Sequence, residues 1–388
     1  MVSEVRMIVA TLSLDSMLAR TKFLRNISSA RIGNLDEILK EFDQVFLLTQ
    51  DTINFTDYLR GATHVPCSSS PSRRVEWVLS RFVYARWAYF FFYSFFWMLK
   101  HRKKISLLVS INVDSPAPLF SMLFGIPCIV YYHYDTAFQV KHINGRPVVG
   151  SVLDAVERLA FRNAIVVWIT SPSLMDKVKS LGAKRIKLIP NWIDVKEIEG
   201  IKVPRRRSTR PRILFVGRLH RVKRVDLLIR AFHLIHERNS HVDLYILGDG
   251  DQRQALVKLA NDLGLSGNIH FLGYVDQTAV FRMMKLSDVF VLPSKIEGNP
   301  RVIIEAMANK VPIVATSVPG IKDMVQHMKT GYLIDTDTPE KLAQGIEYIL
   351  SNKRESASMT SRAYGFVLQN FSKENVSQQI RDELKLFL

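Results

Sequence analysis

The chain has 388 residues, 47% of them hydrophobic and 10% aromatic, with 53 Lys and Arg against 36 Asp and Glu, a formal net charge of +17. That length is too great for one typical core and implies two domains. The charge implies an anionic partner (a membrane surface, phosphorylated ligands or nucleic acid), but no nucleic-acid motif accompanies it, which argues against nucleic acid. The two cysteines, Cys67 and Cys128, have no metal-ligand or CxxC spacing and read as thiols of a reducing compartment or as buried groups.

The chain starts MVSEVRMIVATL, with charges followed by a strand-like run too short for a signal-peptide core. The first half alternates short apolar runs with helix-like stretches. Strands are expected at 5–12, 44–49, 105–111, 127–132, 164–170 and 185–189, with helices between them such as 151–162. This rhythm implies an α/β domain, a parallel sheet covered on both faces.

Residues 87–99 read WAYFFFYSFFWML, nine of thirteen aromatic and none charged. As a helix they reach roughly 20 Å, short of the ~30 Å hydrocarbon core. From Arg73 to Lys104 there are eight basic residues against Glu76 alone. Tryptophan and tyrosine favour the bilayer interface, and flanking cations favour anionic head groups. The segment therefore reads as a helix lying in one leaflet. Arg86, Trp87, Phe91, Phe92, Phe96, Trp97, Lys100, Arg102, Lys103 and Lys104 are the expected membrane-associating residues. A buried core helix, or a true span over 82–99, are the alternatives.

Residues 196–211 contain VPRRRSTRP, lack apolar periodicity and read as an exposed linker between domains 1–195 and 212–356. The second half repeats the α/β rhythm. Strands are expected at 212–217, 242–247, 269–272, 289–293, 312–316 and 331–335, and helices at about 224–238, 251–263, 278–286, 300–309, 320–327 and 339–351. The tail, 357–388, reads as amphipathic helix.

Residues 294–316, SKIEGNPRVIIEAMANKVPIVAT, hold two glutamates, Glu297 and Glu305, separated by seven residues. Pro300 suits the first turn of a helix and Asn299 an N-cap. Glu297 then lies on the loop after a strand, and Glu305 inside the helix. Two acids and a row of helix N–H groups at one cleft edge suit a ligand with both hydroxyls and phosphates.

This stretch resembles the Glu-x7-Glu signature of retaining nucleotide-sugar glycosyltransferases of the GT-B fold, family 4. The similarity is strong over about 205–350 and weaker elsewhere. The resemblance implies two Rossmann-like parallel-sheet domains facing across a cleft, with the last helices, 357–388, crossing back to the first. It places Glu305 on the ribose hydroxyls and Glu297 at the sugar ring near the reacting carbon. Backbone N–H groups of Asn299 and Arg301 would face sugar or phosphates.

The segment GRLHRVKRVDLLI resembles the family's pyrophosphate-holding run, with Arg218 and Lys223 at the matching cations. Such fixed charges stabilise the leaving diphosphate without a metal. Arg224 stands where the family has glycine. LGDG (247–250) stands where the family has a Gly-x-Gly turn, Tyr274 falls in the segment near the base, and Gly320 opens the helix facing sugar or phosphate. DTD at 335–337 reads as a turn and cap rather than a metal site, so neither a metal nor another cofactor is expected.

On the acceptor side, His133 ends a strand and matches a family histidine that contacts the donor sugar; Asp135 is less transferable. YYHY resembles mannosyltransferases that extend dolichol-linked oligosaccharides. LIPNWID (188–194) resembles the family's IPNG segment, with Trp192 replacing glycine. The family's glycine-rich loop after the first strand has no counterpart here beyond Gly33.

The resulting expectation is a peripheral enzyme on the cytoplasmic face of a membrane. It would move a hexose, mannose or glucose, from a nucleotide sugar to a lipid-linked or other membrane-bound glycan acceptor, using Glu297 and His133. The alternatives are an inactive GT-B subunit of a transferase complex, or a same-fold epimerase or hydrolase.

Overall fold

The computed structural model describes residues 7–11, 44–49, 62–66, 83–111, 116–143, 145–204, 209–335 and 338–387. The chain divides into two compact units, Met1–Ile189 with Ser377–Leu388, and Pro190–Val376.

Among the described residues the first unit has seven parallel strands in the order β3–β2–β1–β4–β5–β6–β7. They are β1 Met7–Thr11, β2 Gln44–Thr49, β3 Ala62–Pro66, β4 Ile105–Ile111, β5 Cys128–Tyr132, β6 Val166–Ile169 and β7 Ile186–Leu188. Strand β3 was not foreseen, because ATHVP mixes polar residues into a short run. Among the described residues the unit's longer helices include α1 Val83–His101, α2 Ala117–Phe124, α3 Pro147–Asn163 and α4 Met175–Ser180. Strands β5 and β6 are buried at every residue, as expected for parallel strands with helices on both faces. Burial pushes the Cys128 thiol on β5 up to about 12, so it stays protonated and inert.

Phe120 of α2 receives Phe91 and Phe95 of α1 at ring distances of 5.5 and 6.1 Å. Of the α1 rings read as facing lipid, Phe91 and Trp97 instead pack against the core, and Trp97 stacks on His101 at 4.3 Å. Phe92 and Phe96 point outward. A helix resting on a sheet must turn one side inward, so a continuous aromatic run is divided between core and surface. The side chains of Arg86 and Trp87 lie outside the described residues, as does Cys67.

The second unit has six parallel strands in the order β10–β9–β8–β11–β12–β13. They are β8 Arg212–Val216, β9 Asp243–Leu247, β10 Ile269–Gly273, β11 Val289–Leu292, β12 Ile313–Thr316 and β13 Tyr332–Ile334. Its helices are α5 Val195–Gly200, α6 Val225–Arg238, α7 Arg253–Asp262, α8 Gln277–Lys285, α9 Arg301–Ala308, α10 Pro319–Lys322, α11 Pro339–Ser351 and α12 Lys353–Asn370; α13 Lys373–Leu384 begins in this unit.

The change of unit falls between Ile189 and Pro190, ahead of the 195/196 boundary read from the sequence. Helix α5 buries Val195 and Ile198 in the second unit's core, so the first residues of the presumed linker are folded. Only Ser377–Leu388 of the tail group with the first unit, where Glu383 pairs with Arg185 at 2.8 Å and Lys187 at 3.3 Å.

One helix is shorter than expected: α10 covers four residues rather than 320–327. The chain leaves the helix at Asp323; Met324 and Val325 still turn inward, and Met328, farther on, lies in a turn with a positive φ of 59°.

Strand order reverses beside β8. Strands β9 and β10 run to one side, and β11, β12 and β13 to the other. The loops after β8 and β11 therefore flank the crevice where open α/β sheets bind ligands.

Candidate active site

The two loops at this switch point are joined. Lys295 N–H donates to Val222 C=O at 2.8 Å, and Lys223 Nζ donates to Glu297 Oε1 at 2.6 Å. The Glu297 side chain is 8% exposed and that of Lys223 22%. The pair thus sits at the carboxyl ends of β8 and β11, screened from most solvent. Thr316 Oγ1, at the end of β12, donates to Ser294 C=O and steadies the same loop.

The loop carrying Lys223 is a short 3-10 turn, Arg221–Lys223, in which Val222 N–H donates to His220 Nδ1 at 3.4 Å. Arg224, next in the chain, holds the left-handed conformation, φ 51° and ψ 42°. That conformation suits glycine, which gives a physical reason for the glycine expected at this place. The turn aims Lys223 toward Glu297 and starts α6. Arg218, on the approach to this turn, is exposed.

Two glycines hold the neighbouring loops at contact distance. A Cβ on Gly248 would lie 1.9 Å from Gly217 C=O, and one on Gly320 would lie 2.1 Å from Gly298 C=O and 2.5 Å from Glu297 C=O. Gly248, in LGDG, is therefore required by packing as well as by its φ of 130°. Gly320 supports the backbone that presents Glu297.

Helix α9 starts one residue later than expected. Pro300 itself is the N-cap, in extended conformation, and makes no side-chain cap bond. Asn299 does not cap the helix: its Oδ1 accepts from Asn191 Nδ2 at 2.9 Å, and its C=O from the same group at 3.3 Å. Asn191 belongs to LIPNWID, and its role as a tie to the Glu297 loop was missed from sequence. Trp192 beside it packs under Lys373, whose Nζ is 5.3 Å from the ring centroid.

Glu305 lies on the first turns of α9 and is buried. Burial pushes its carboxyl above the usual glutamate range; the Arg301 guanidinium and a hydrogen bond from Gln277 work against that rise without cancelling it. A desolvated carboxylate of this kind readily accepts paired hydroxyl donors. Tyr274 follows β10 and is 37% exposed. Asp335 follows β13, while Thr336 and Asp337 lie outside the described residues. Thr338 rather than an aspartate caps α11, accepting from Lys341 N–H at 3.4 Å.

In the first unit, His133 follows β5. It is buried, its ring 4.3 Å from Tyr131, and its C=O accepts from Thr170 Oγ1 at 3.0 Å. Asp135, two residues on, caps the next turn by accepting from Phe138 N–H at 2.8 Å and pairs with Lys177. Lys177 also meets Glu157 at 2.6 Å and Asp154 at 3.6 Å, and Lys141 pairs with Asp154. Tyr132 Oη donates to Glu157 Oε1 at 2.9 Å. Burial alone would depress the Lys177 ammonium, but its bonds to Asp135 and Glu157 outweigh that and raise it. This network, also missed from sequence, pins the segment after His133 to α3 and α4.

Comparison with known proteins decides the family. The family model described as glycosyl transferases group 1 matches residues 197–366. An uncharacterized glycosyltransferase of Methanocaldococcus jannaschii is 31% identical over 292 residues, covering 67% of this chain and 75% of that protein. The chain belongs to the glycosyl transferases group 1 family.

Among its group 1 relatives, a lipopolysaccharide core biosynthesis glycosyltransferase of Rhizobium meliloti is 30% identical over 251 residues, 63% of this chain and 69% of that one. Among solved structures, Anabaena HepE in complex with UDP-glucose superposes with a TM-score of 0.74 at 17% identity, over 98% of this chain and 99% of that one. The fold is GT-B, two parallel-sheet α/β domains, and the protein is a glycosyltransferase.

Proposed function

We propose that this glycosyltransferase moves a hexose, mannose or glucose, from a nucleotide sugar to a glycan acceptor carried at a membrane surface, with retention of configuration and without a required metal. The observation that carries the reading is the Lys223–Glu297 pair at the switch point, 2.6 Å apart with Glu305 on the following helix.

Lys223 and Arg218 supply the fixed positive charge for a leaving diphosphate. Glu297 hydrogen-bonds the sugar and stabilises positive character at its reacting carbon. Glu305 accepts the ribose hydroxyls. The bond from C1 to the phosphate oxygen breaks, and the acceptor oxygen bonds to C1 on the same face. The acceptor proton passes to the departing phosphate. His133 is assigned to the sugar by the family resemblance alone, and Tyr274 packs beside the base. A nucleotide-sugar donor is supported by the UDP-glucose bound to the HepE relative in fold, and a membrane-borne acceptor by the lipopolysaccharide role named for the Rhizobium relative.

The test is a panel of nucleotide sugars scored by thermal shift and by slow hydrolysis, with Lys223→Ala and Glu297→Ala alongside. The expected result is one selective donor whose stabilisation disappears with Lys223→Ala and whose hydrolysis disappears with Glu297→Ala. If no donor stabilises the protein, with membrane lipid present, the reading fails.

A further inference from the structure

Helix α3 exposes an apolar stripe and buries an acid, which is unusual for a surface helix. It buries Glu157 completely, with Gly150, Ala160 and Phe161, and exposes Val148, Val149, Val152, Val156 and Leu159. The spacing 148, 152, 156, 159 is one helical stripe. Val148 is 76% exposed and Val152 59%. The helix's two acids are drawn inward, Glu157 to Lys177 and Asp154 to Lys141, while Arg158 and Arg162 stay exposed.

The stripe does not stand alone. Helix α2 packs against both α1 and α3 and exposes Leu119, Met122 and Leu123. Helix α1 adds Phe92, Phe96 and Leu99, with Phe96 64% exposed. Its end carries Lys100, Arg102, Lys103 and Lys104, all exposed. Three neighbouring helices thus present aliphatic and aromatic side chains bordered by cations. Exposed apolar side chains gathered on neighbouring helices in this way mark an interaction site. Among the described residues no helix is long and apolar enough to cross a membrane.

We propose that α1, α2 and α3 together form a docking face for an anionic lipid bilayer, their apolar side chains entering the acyl boundary and their cations meeting the head groups. Charge selects this occupant over a second copy of the chain. A two-fold interface would bring each cation group near its own copy, in a protein of net charge +17. An anionic leaflet neutralises the same groups. The face ends at the segment after His133: Phe138 is exposed, and Gly150 of α3 lies against Ala137 and Lys141 so closely that a Cβ there would meet Lys141 Cγ at 2.2 Å. A lipid-borne acceptor would be delivered to that segment. This inference deepens the membrane-acceptor reading given above and rests on it.

The test is vesicle co-sedimentation of the full chain with phosphatidylcholine alone and with added phosphatidylglycerol. The variants are Val148→Ser/Val152→Ser/Val156→Ser, and separately Phe92→Ser/Phe96→Ser. All five positions are exposed, and an unchanged melting temperature confirms folding. Binding is expected only with phosphatidylglycerol, and each variant should weaken it roughly tenfold or more, since each removes several inserted apolar groups. Wild-type binding by the valine variant would overturn the three-helix face and leave α1 alone. A wild-type dimer in sedimentation velocity that the valine variant converts to monomer would overturn the lipid assignment in favour of a second copy. Donor hydrolysis is measured on the same samples. Hydrolysis without vesicle binding overturns the docking face and spares the transferase reading; vesicle binding without hydrolysis does the reverse.

Discussion

Lys223 and Glu297, 74 residues apart in sequence, meet at 2.6 Å across the switch point of the second sheet. Each is assigned to the donor in the proposed function, and here each satisfies the other's charge. Removing either leaves a charge in a screened site without its partner, which costs about 1–3 kcal/mol. The double variant Lys223→Met/Glu297→Gln should therefore be more stable than the sum of the single effects allows. A denaturation cycle giving strictly additive losses would show that the pair is not coupled.

Glu305 offers a prediction with a definite sign. Its carboxyl is held above its unfolded value by burial, so the folded protein keeps a proton that the unfolded chain releases. The group's contribution to stability is then present below the unfolded pKa and lost as pH rises through the folded one. Glu305→Gln should raise the melting temperature at neutral pH and flatten its fall from mildly acid to neutral pH. Donor affinity should drop roughly tenfold or more, because the amide replaces a charged acceptor. Melting curves against pH, with and without donor, check both halves.

Gly320 fills the space beneath the Glu297 loop. Gly320→Ala would set a methyl group 2.1 Å from Gly298 C=O, and the loop must move to admit it. The expected stability loss is about 1–3 kcal/mol. Donor turnover should fall more than donor binding, since Glu297 is displaced while Lys223 and Glu305 stay in place. Thermal denaturation and single-turnover hydrolysis separate the two effects.

Arg224 sits at φ 51°. Arg224→Gly should leave stability within about 0.5 kcal/mol, because relief of roughly 1 kcal/mol of left-handed strain offsets the extra freedom of glycine in the unfolded chain. Arg224→Val should cost about 1 kcal/mol or more, as a branched side chain tolerates this conformation poorly. Urea unfolding of the two variants gives the comparison.

The second unit was legible almost strand by strand. Its strands, such as VFVL at 289–292, are short continuous apolar runs between turns, and its candidate site residues follow those strands, where the resemblance to the family picks them out. What escaped was contact between distant segments. Asn191 reads as part of a motif, yet nothing local says that it holds Asn299. Pro300 was placed inside the helix because proline suits a first turn; its extended ψ of 100° makes it the cap instead. In the first unit, Glu157 lies on a helix of which the sequence shows only the extent. Its burial follows from Lys177 and Tyr132 converging on it, which only the fold reveals. The aromatic run of α1 was visible, but its division into inward and outward rings depends on where α2 lies.

The division of the chain into units has a consequence for synthesis. Pro190–Val376 is one continuous stretch, whereas the first unit needs Ser377–Leu388 as well as Met1–Ile189. Those last residues leave the ribosome after the whole second unit. In translation order the Arg185 and Lys187 pairs with Glu383 can therefore form only after the whole second unit has been synthesised. A chain truncated before residue 377 would keep every residue of the second unit but leave Arg185 and Lys187 of the first without Glu383, so the two units should differ in how they tolerate loss of that segment.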